Sequence, residues 1–436
     1  MKKLLATILF ICSGISMALA QTETTSFDVD GIKVIFKPTL KEIINVRMYY
    51  RGGVTNYPAS QAGIESFALE ATNECGTKKY TGNVYRDRAD KYGINIGSNA
   101  EYDYGNIQME CVAKYFNEGW DLFTEAIVNP VFDAGEVELL RNKLIAKVKG
   151  NQSNPDKQAE HLVLQNAFEG TPYATDPDGT EEILSKLTAG DLKTYYNSIL
   201  NKNQLFIVVA GKVDKTELIA KIKASFSGLP SKPYNPVTLE EPIWNDYHLL
   251  KEDRNLQTNY IDGIMNSPKF NSPDYVPYRV GISALGGSLF SELRTRLNLS
   301  YDPGTYSVMQ QMPYGIMYVS TTNPKEAVLA INRQVKKVLS HGLTPEGLQR
   351  IKSSFITTNY IKQQSTASIT GSLGIAEVLG GWQIADDLPK LIEKVTVDQI
   401  NQAMYKYIVG LRWSYLGDPE KATEAAEAFK KVIRND

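Results

Sequence analysis

Two similar stretches, DYGNIQM at residues 103–109 and PYGIMYV at residues 313–319, decide the fold of this chain. The first alternates between apolar and polar residues, and the second is similarly rich in strand-forming residues, so each predicts a β-strand. The two stretches begin about 210 positions apart, and similarity over such a distance indicates a duplicated structural unit.

The segments that follow the two strands repeat as well. A helix is predicted at Trp120–Asn129 after the first strand and at Ala327–Ser340 after the second. In both copies a helix that opens with acids and continues with Leu and Ile comes next, at Glu136–Val148 and Glu346–Phe355. Thr344 offers an N-cap hydroxyl to the last of these helices, and a proline occupies its first position. The order strand, helix, helix therefore occurs twice.

Further strands bound each copy. Phe27–Phe36 and Asn45–Arg51 are predicted to be paired strands, with a turn at Asp30-Gly31. Strands at Leu205–Val213 and Arg412–Gly417 end the first and the second copy. These features predict an α+β chain with two duplicated α/β-sandwich domains of about 210 residues, each a mostly antiparallel sheet packed with helices.

The stretch between the two copies has the composition of a linker. Residues 228–245 contain four prolines, and such a cluster is typical of a connecting segment. We therefore predict an N-terminal domain at residues 21–227 and a C-terminal domain at residues 246–436. The total of 436 residues is enough for two domains with sizeable cores.

Composition limits the classes of function. With 47 Lys+Arg against 49 Asp+Glu, the net charge is −2, and the missing basic excess argues against nucleic-acid binding. The only histidines in the sequence are His161, His248 and His341, which are far apart. A metal site built on histidine is therefore severely limited.

Residues 1–20, MKKLLATILFICSGISMALA, have the layout of a secretory signal peptide. Two lysines precede an apolar stretch that ends at Cys12, and Ala18-Leu19-Ala20 offers a small-x-small cleavage site before Gln21. A transmembrane anchor is one alternative, but the apolar run is short. A lipoprotein modified at Cys12 is another, although the preceding residues lack the small side chains that processing prefers. We expect export to the periplasm.

Two cysteines, Cys75 and Cys111, remain after removal of the signal peptide. An oxidising compartment permits a disulfide between them. Two small buried thiols are the alternative, and the sequence leaves both open.

Short motifs follow one another in a fixed order along nearly the whole exported chain. They are Arg51-Gly52-Gly53 leading to Gly63-Ile64, Glu74-Cys75-Gly76-Thr77, Pro172-Tyr173 with Gly179-Thr180, NQLFIVVAGKVD at residues 203–214, Leu285–Phe290, and Gly342-Leu343-Thr344. In this order and spacing they resemble the pitrilysin-like metallopeptidases, the group that includes insulin-degrading enzyme and the mitochondrial processing peptidases. The resemblance implies that the two halves form one cup and that two cups close around a peptide chamber.

In that family a helix of the first domain carries an inverted zinc motif, H-x-x-E-H. Its two histidines lie one turn apart and bind zinc, while the glutamate activates water. Aligned from Gly63, the three motif positions fall on Ser66, Leu69 and Glu70. The stretch is one residue longer than the family pattern, but no register restores the motif, because no histidine occurs between Gly63 and Thr77.

The third zinc ligand of the family, a glutamate on a later helix, falls on Lys147 when counted from Glu70. A lysine repels a metal cation and cannot replace the carboxylate. Residues 157–161, KQAEH, imitate the motif with a lysine in first place, but one histidine and one glutamate do not make a catalytic zinc site. We expect an ordinary helix face there. We therefore predict no metal and no cofactor in this chain, and zinc in a partner subunit.

The second copy keeps a different feature of the family. LFSELRTRLNLSY at residues 289–301 is similar to the family's second-domain signature, in which an arginine precedes a tyrosine, here Arg294 and Tyr301. The resemblance implies that the guanidinium holds a peptide carbonyl or carboxylate, and that the phenol donates to the developing oxyanion. A solvated helix charge and a packed aromatic ring are the alternative reading of the pair. Arg296 is the other candidate arginine.

The zinc motif is lost but the arginine–tyrosine pair is retained, which predicts that the catalytic groups are shared between two subunits. In heterodimeric members that this chain resembles, one subunit has zinc and the other supplies the pair. We expect the non-zinc subunit of a periplasmic peptidase heterodimer, whose partner is a zinc-bearing pitrilysin-like subunit of similar size. Peptide substrates would add along an edge strand, for which Ile94–Tyr104 is the candidate. A strand inside the sheet is equally compatible with this stretch.

Two other functions are compatible with the same sequence. One is a catalytically inert peptide-binding or scaffold protein of the same fold, and the other is a self-sufficient enzyme with an unrecognised site. A neighbouring gene that encodes a similar chain with an intact H-x-x-E-H motif would favour the heterodimer, and its absence would favour the scaffold.

Overall fold

The computed structural model describes residues 23–430, which form two compact units. The first unit contains residues 23–144, 177–236 and 362–378, and the second contains residues 145–176, 237–361 and 379–430. The predicted signal peptide lies outside the described residues. Between residues 23 and 430, no helix combines the length and the apolar character needed to cross a membrane.

The strands and helices of residues 23–430 follow the order that the duplication predicts. The strands are β1 Thr25–Val29, β2 Ile32–Pro38, β3 Ile43–Arg51, β4 Asn95–Ala100, β5 Tyr104–Val112, β6 Leu205–Gly211, β7 Tyr247–Asp253, β8 Asn259–Asn266, β9 Gly304–Val308, β10 Tyr314–Thr321 and β11 Leu411–Gly417. The α-helices are α1 Ile64–Glu74, α2 Gly82–Tyr92, α3 Phe116–Val128, α4 Ala134–Ser153, α5 Pro155–Phe168, α6 Glu181–Leu184, α7 Ala189–Ile199, α8 Lys215–Phe226, α9 Tyr275–Leu289, α10 Pro324–His341, α11 Pro345–Lys362, α12 Thr366–Leu379, α13 Trp382–Asp386, α14 Leu388–Lys394, α15 Val397–Tyr407 and α16 Pro419–Phe429.

The first unit is built on a six-stranded sheet of order β1-β2-β6-β3-β5-β4. Only β2 and β6 run parallel within it, and the other neighbours are antiparallel. The predicted turn at Asp30-Gly31 is confirmed, because β1 and β2 pair on either side of it. Both turn residues have positive φ, 55° and 83°, as a two-residue turn between strands requires.

The predicted pairing of Asn45–Arg51 with the first hairpin is wrong. The strand β3 pairs with β5 and β6, and β6 separates it from β2. Every residue of β6 is buried, and a strand that is apolar on both faces belongs in the middle of a sheet. The apolar run indicates a central strand, but no local signal in the sequence tells which two strands β6 separates.

The second unit contains a five-stranded sheet of order β7-β11-β8-β10-β9. Again one pair, β7 with β11, is parallel, and the remaining pairs are antiparallel. Omitting β1, the pairing scheme is the same in both units, with β6 and β11 in equivalent places. The predicted duplicated, mostly antiparallel α/β sandwich is therefore confirmed.

Each unit includes a helix from the other half of the sequence. Residues 362–378, which contain most of α12, belong to the first unit, and residues 145–176, which contain α5, belong to the second. Residues 228–245 contain neither helix nor strand. The domain boundaries at residues 227 and 246 stay a prediction.

The helix α12 covers the polar face of the first sheet through a line of specific contacts. Tyr49 donates its hydroxyl to the carbonyl of Thr370 at 3.2 Å, and Thr370 donates to the side chain of Asn45 at 2.6 Å. Near the end of the helix, the buried carboxylate of Glu377 accepts from Lys33 at 2.8 Å and from Arg51 at 2.9 Å. A buried carboxylate stays charged only when it is paired, and here the two cations Lys33 and Arg51 compensate the charge of Glu377.

The packing of α12 makes a testable distinction between two of its glycines. A Cβ on Gly374 would lie 2.2 Å from the ring of Tyr49, whereas a Cβ on Gly371 would meet only Arg47, at 3.6 Å. We predict that Gly374→Ala destabilises the protein by roughly 1–3 kcal/mol through overpacking. Gly371→Ala is the matched control and should raise the stability by up to about 1 kcal/mol, because alanine favours the helix.

Thermal unfolding of both variants measures the difference. A lower midpoint for Gly374→Ala alone supports the close contact between α12 and the first sheet. Equal midpoints for the two variants would contradict it.

Candidate functional site

The helix α1 contains the three positions, Ser66, Leu69 and Glu70, onto which the resemblance places the zinc motif. It begins after Gly63, whose φ of 85° is left-handed, and a Cβ there would lie 2.9 Å from the carbonyl of Asp178. Glycine is therefore required at this position for both its backbone angle and its lack of a side chain. The start of the helix is fixed by this contact.

The three degenerate motif positions have different surroundings on α1. Leu69 is fully buried, and its Cδ1 lies 2.4 Å from where Gly105 of β5 would carry a Cβ, so it is part of the core. Ser66 and Glu70 are half-buried and lie four residues apart on one side of the helix. A buried leucine, a serine and a single carboxylate do not form a zinc-binding set.

A lysine that the sequence analysis missed supplies positive charge beside Glu70. Lys143 of α4 places its Nζ 2.8 Å from Glu70 and 3.7 Å from Glu74. The hydrogen bond to Glu70 raises the pKa of Lys143 above its ordinary value. The predicted position Lys147 lies on the same helix, in the part that belongs to the second unit. Lys143 lies one helical turn before Lys147. This spacing, which places both lysines on one side of the helix, is the only feature of the sequence that could have identified it.

The described residues contain no group of three or more histidine, cysteine and acidic side chains that could hold a metal ion. The imitation motif on α5 forms a local ion pair, because Lys157 lies 2.9 Å from Glu160. His161 lies 3.6 Å from Asp176. His248 contacts Asn166 at 2.5 Å, and His341 contacts the carbonyl of Lys337 at 3.2 Å, so no two histidines share a site. The donor set of residues 23–430 therefore does not fit zinc.

A buried carboxyl on α1, Glu65, was also missed. Tyr195 donates its hydroxyl to Oε2 of Glu65, and the amide of Asn56 donates to the same atom at 3.2 Å. The other oxygen, Oε1, has no hydrogen-bond partner. Burial raises the pKa of Glu65 to about 7, although the hydrogen bonds from Tyr195 and Asn56 act in the opposite direction. Nothing in the sequence distinguishes this glutamate from Glu70 and Glu74, the half-buried acids of the same helix.

The two cysteines are free thiols in the structure. Both Cys75 and Cys111 are buried, and no disulfide joins them. Burial raises the pKa of each thiol to about 12, so neither is a reactive thiolate at neutral pH. The alternative of two buried thiols describes the structure.

The structure brings the predicted pair in the second unit into direct contact. The helix α9 continues without interruption into a π-helical segment, Phe290–Arg296, a rare conformation that is frequent at functional sites. Arg294 donates from Nη1 to the carbonyl of Tyr301, and its Cζ lies 4.0 Å from the centre of the Tyr301 ring. Tyr301 lies past the end of this helical segment and is 78% exposed.

Arg294 and Tyr301 line a cavity of about 650 Å³ in the second unit. The other lining residues are Thr258, Thr295, Asn298, Leu299, Ser300, Ser320, Thr321 and Thr322. Arg296 does not line the cavity and pairs with Glu292 on its own helical segment. Of the two candidate arginines, Arg294 is therefore the one placed to meet a ligand.

The stretch predicted to be an edge strand lies at one edge of the first sheet. The predicted stretch Ile94–Tyr104 contains β4, which pairs with β5 on one side only and ends the first sheet. The backbone of an edge strand offers unpaired N–H and C=O groups to an extended chain. Peptide addition at this edge stays a prediction.

The sequence matches two family models that together span most of the described chain. Residues 34–180 match the model described as Insulinase (Peptidase family M16). Residues 186–355 match the model described as Peptidase M16 inactive domain.

Individual relatives and solved structures agree with this assignment. The non-peptidase homolog YmxG of Helicobacter pylori is 21% identical over 84% of this chain and 87% of its own length. The structure of a peptidase M16 inactive domain from Pseudomonas fluorescens matches with a TM-score of 0.80 and 19% identity, over 91% of this chain and 98% of that chain. The periplasmic protease PqqL of Escherichia coli matches with a TM-score of 0.75 and 14% identity, over 91% of this chain but 45% of that chain.

The burial of Glu65 makes stability depend on pH. Its carboxyl stays protonated in the folded chain up to about pH 7 but ionises near pH 4.5 when unfolded, so stability falls as the pH rises between these values. We predict that Glu65→Gln removes this loss, which is on the order of 3 kcal/mol. Thermal midpoints at pH 5 and pH 8 measure it, and Glu70→Gln on the same helix is the control. An unchanged pH profile in Glu65→Gln would contradict the burial of an unpaired carboxyl.

The side chains on α1 and α4 predict that the purified chain keeps no zinc. After incubation with zinc and dialysis, metal analysis should find far less than one ion per chain, because Lys143 repels a cation and no histidine is near. Lys143→Ala removes the ammonium but adds no ligand, so its zinc content should stay equally low. One zinc ion retained per chain would show that a metal site exists elsewhere.

Proposed function

Because this chain belongs to the insulinase (peptidase M16) family, we propose that it is the non-zinc subunit of a periplasmic peptidase heterodimer. A zinc-bearing chain of the same fold and similar size is the partner, and it supplies the metal and the glutamate that activates water. This chain supplies Arg294, Tyr301 and half of the peptide-binding chamber.

The observation that carries the proposal is the contrast between the two candidate sites. On α1 the three motif positions hold a serine, a buried leucine and a glutamate paired with Lys143. In the second unit, Arg294 and Tyr301 contact each other and face a cavity. A chain that lacks the zinc ligands but keeps a half-buried arginine beside an exposed tyrosine is suited to assist a metal held by another chain.

The chemistry of the pair fits peptide hydrolysis. A guanidinium can donate hydrogen bonds to the oxygen of a peptide carbonyl and so orient the scissile bond. An exposed phenol can donate to the oxyanion that forms when water attacks the carbonyl. The ring of Tyr301 lies under the guanidinium of Arg294, and this cation–π contact helps to fix the position of both groups.

The length of a structural neighbour supports a two-chain assembly. This chain aligns with 45% of PqqL, so a single PqqL chain is long enough to contain two units of this size. We propose that this chain pairs in the same way with a separate partner polypeptide of similar size. The predicted signal peptide at residues 1–20 supports the periplasm as its location.

An inert peptide-binding or scaffold protein is the second candidate function. The description of the matched domain as inactive and the name of the relative YmxG as a non-peptidase homolog favour it. Both candidates require a degenerate zinc helix. They differ in whether Arg294 and Tyr301 affect the turnover of a partner.

Reconstitution with the zinc-bearing partner separates the two candidates. Peptide hydrolysis is measured for each chain alone and for the co-purified complex. The heterodimer predicts turnover by the complex far above that of either chain. If the partner cleaves peptides equally well without this chain, the proposed role as a catalytic subunit is wrong, and the scaffold function is favoured.

Tyr301→Phe in that complex tests the role of the phenol. Loss of one oxyanion donor should lower kcat on the order of a hundredfold with little change in KM or in assembly. Tyr405→Phe removes a hydroxyl from another exposed tyrosine, on α15, and should leave kcat unchanged. Equal kcat values for the two variants would assign Tyr301 a structural role only.

A further inference from the structure

One face of the second sheet carries a buried acid beside α5. Asp262 on β8 lies directly opposite Ser414 on β11 and Tyr318 on β10, and directly opposite residues point to the same face of a sheet. Ser414 donates its hydroxyl to the carbonyl of Ala159 on α5 at 2.9 Å. The side chain of Asp262 therefore points to the face that α5 covers.

Two further acids lie close to this carboxyl. Asp156 and Glu160 are four residues apart on α5 and so lie on one side of the helix. Burial of Asp262 and the charges of these two carboxylates raise the pKa of Asp262 to about 8. The two acids of α5 therefore add negative charge where a buried carboxylate is already costly.

Two tyrosines extend the same face to the edge of the sheet. Tyr306 on β9 is 44% exposed, and the centre of its ring lies 6.1 Å from that of Tyr318. A Cβ on Gly304 would lie 2.5 Å from the hydroxyl of Tyr318, so this ring lies across β9. Burial and the charges of Asp302 and Asp262 raise the pKa of Tyr318. We call these groups the acidic tyrosine cluster, whose members are Asp156, Glu160, Asp262, Asp302, Tyr306 and Tyr318.

Asp262 lacks the partners that a buried acid needs. It is 7% exposed, and its carboxyl forms no hydrogen bond or ion pair with any of residues 23–430. Glu160, in contrast, pairs with Lys157 at 2.9 Å. A buried carboxylate without compensation costs free energy, which the group escapes by keeping its proton or by meeting a cation. The described part of the chain does not supply that cation.

We propose that the acidic tyrosine cluster binds a primary ammonium group on an alkyl chain. The carboxylate of Asp262 would accept hydrogen bonds from the ammonium, and the rings of Tyr306 and Tyr318 would offer it their negative faces. The small opening above Asp262 suits a compact ammonium on a slender chain better than a planar guanidinium. No set of three acidic, histidine or cysteine side chains in residues 23–430 could hold a metal ion, so the site is built for an organic cation.

Two sources can supply this chemistry, a lysine side chain of a polypeptide and a free aliphatic diamine. Both carry an ammonium at the end of a flexible methylene chain. The inference goes beyond the proposed function and does not rest on it, because the cluster contains neither Arg294 nor Tyr301 and needs no zinc-bearing partner.

Calorimetric titration of the purified chain tests the inference with two matched pairs of ligands. The first pair is 1,5-diaminopentane and 1,5-pentanediol, and the second is an acetylated, amidated octapeptide with one lysine and the same peptide with norleucine instead. At about pH 8.5 most of Asp262 is ionised and the lysine still carries its charge. We expect at least one ammonium ligand to bind about tenfold or more tighter than its neutral match. The stronger ammonium ligand identifies the source.

Variants assign the preference to the cluster. Asp262→Asn removes the charge but keeps the shape, and it should reduce the preference to about one. Asp253→Asn is the matched control, because it removes an exposed acid from β7 of the same sheet, and it should keep the preference. Tyr306→Leu replaces an exposed ring and should weaken the ammonium ligand about two- to fivefold, with no change for the neutral match.

The thermal midpoint shows whether the Asn variant is folded. Without ligand at about pH 8.5, Asp262→Asn should unfold at a temperature equal to or above that of the unchanged protein, because it loses an uncompensated buried carboxyl. If this variant does not fold, Tyr306→Leu decides alone, since unchanged ammonium binding in that surface variant overturns the inference.

The contradicting outcomes differ from those of the proposed function. Equal binding of each ammonium ligand and its neutral match, or no binding of either ammonium ligand, overturns the inference, while the reconstitution with a zinc-bearing partner is unaffected. A preference that persists in Asp262→Asn overturns the assignment of the site to this cluster.

Discussion

The ammonium of Lys143, 2.8 Å from Glu70 and 3.7 Å from Glu74, is the interaction on which the functional account depends. It joins α4 to α1 at the helix where the family holds zinc, and it brings a fixed positive charge to carboxylates that a metal would otherwise approach. As a partly exposed ion pair it contributes little to stability. Its importance is chemical, because a divalent ion and an ammonium cannot share the same carboxylates.

Other residues on α1 are also incompatible with the zinc chemistry of the family. Leu69 packs in the core against β5, so the position of the family's water-activating glutamate is apolar and closed to water. Glu65, one residue before the first motif position, is buried and held by Tyr195 and Asn56. The helix is thus held in the first unit through Glu65 and Leu69, and its half-buried Glu70 is paired with Lys143.

Much of the fold could be predicted from the sequence because it is encoded locally and twice. The repeated strand and helix signals, the turn at Asp30-Gly31 and the helix that ends before Tyr301 all depend on near neighbours in the chain. The insertion of β6 between β2 and β3 could not be predicted, because it joins strands more than 150 residues apart. The same holds for α12, which reaches the first sheet from the second half of the sequence.

The candidate site was predictable where a motif survives and not where burial decides the chemistry. Arg294 and Tyr301 were identified by their flanking residues, whereas Lys143 was missed by one helical turn. Glu65 and Asp262 gave no signal, since only the folded chain determines that an acid is buried without a full set of partners. Such groups are defined by distant residues and not by a pattern.

The central proposal is that the zinc and the glutamate that activates water lie in a partner chain, and hydrolysis of a mixed fluorogenic peptide library by the purified chain alone tests it most directly. The assay is run with added zinc and again with a chelator. The account predicts a rate equal to that of buffer in both conditions. Turnover that requires zinc and disappears with the chelator would contradict it.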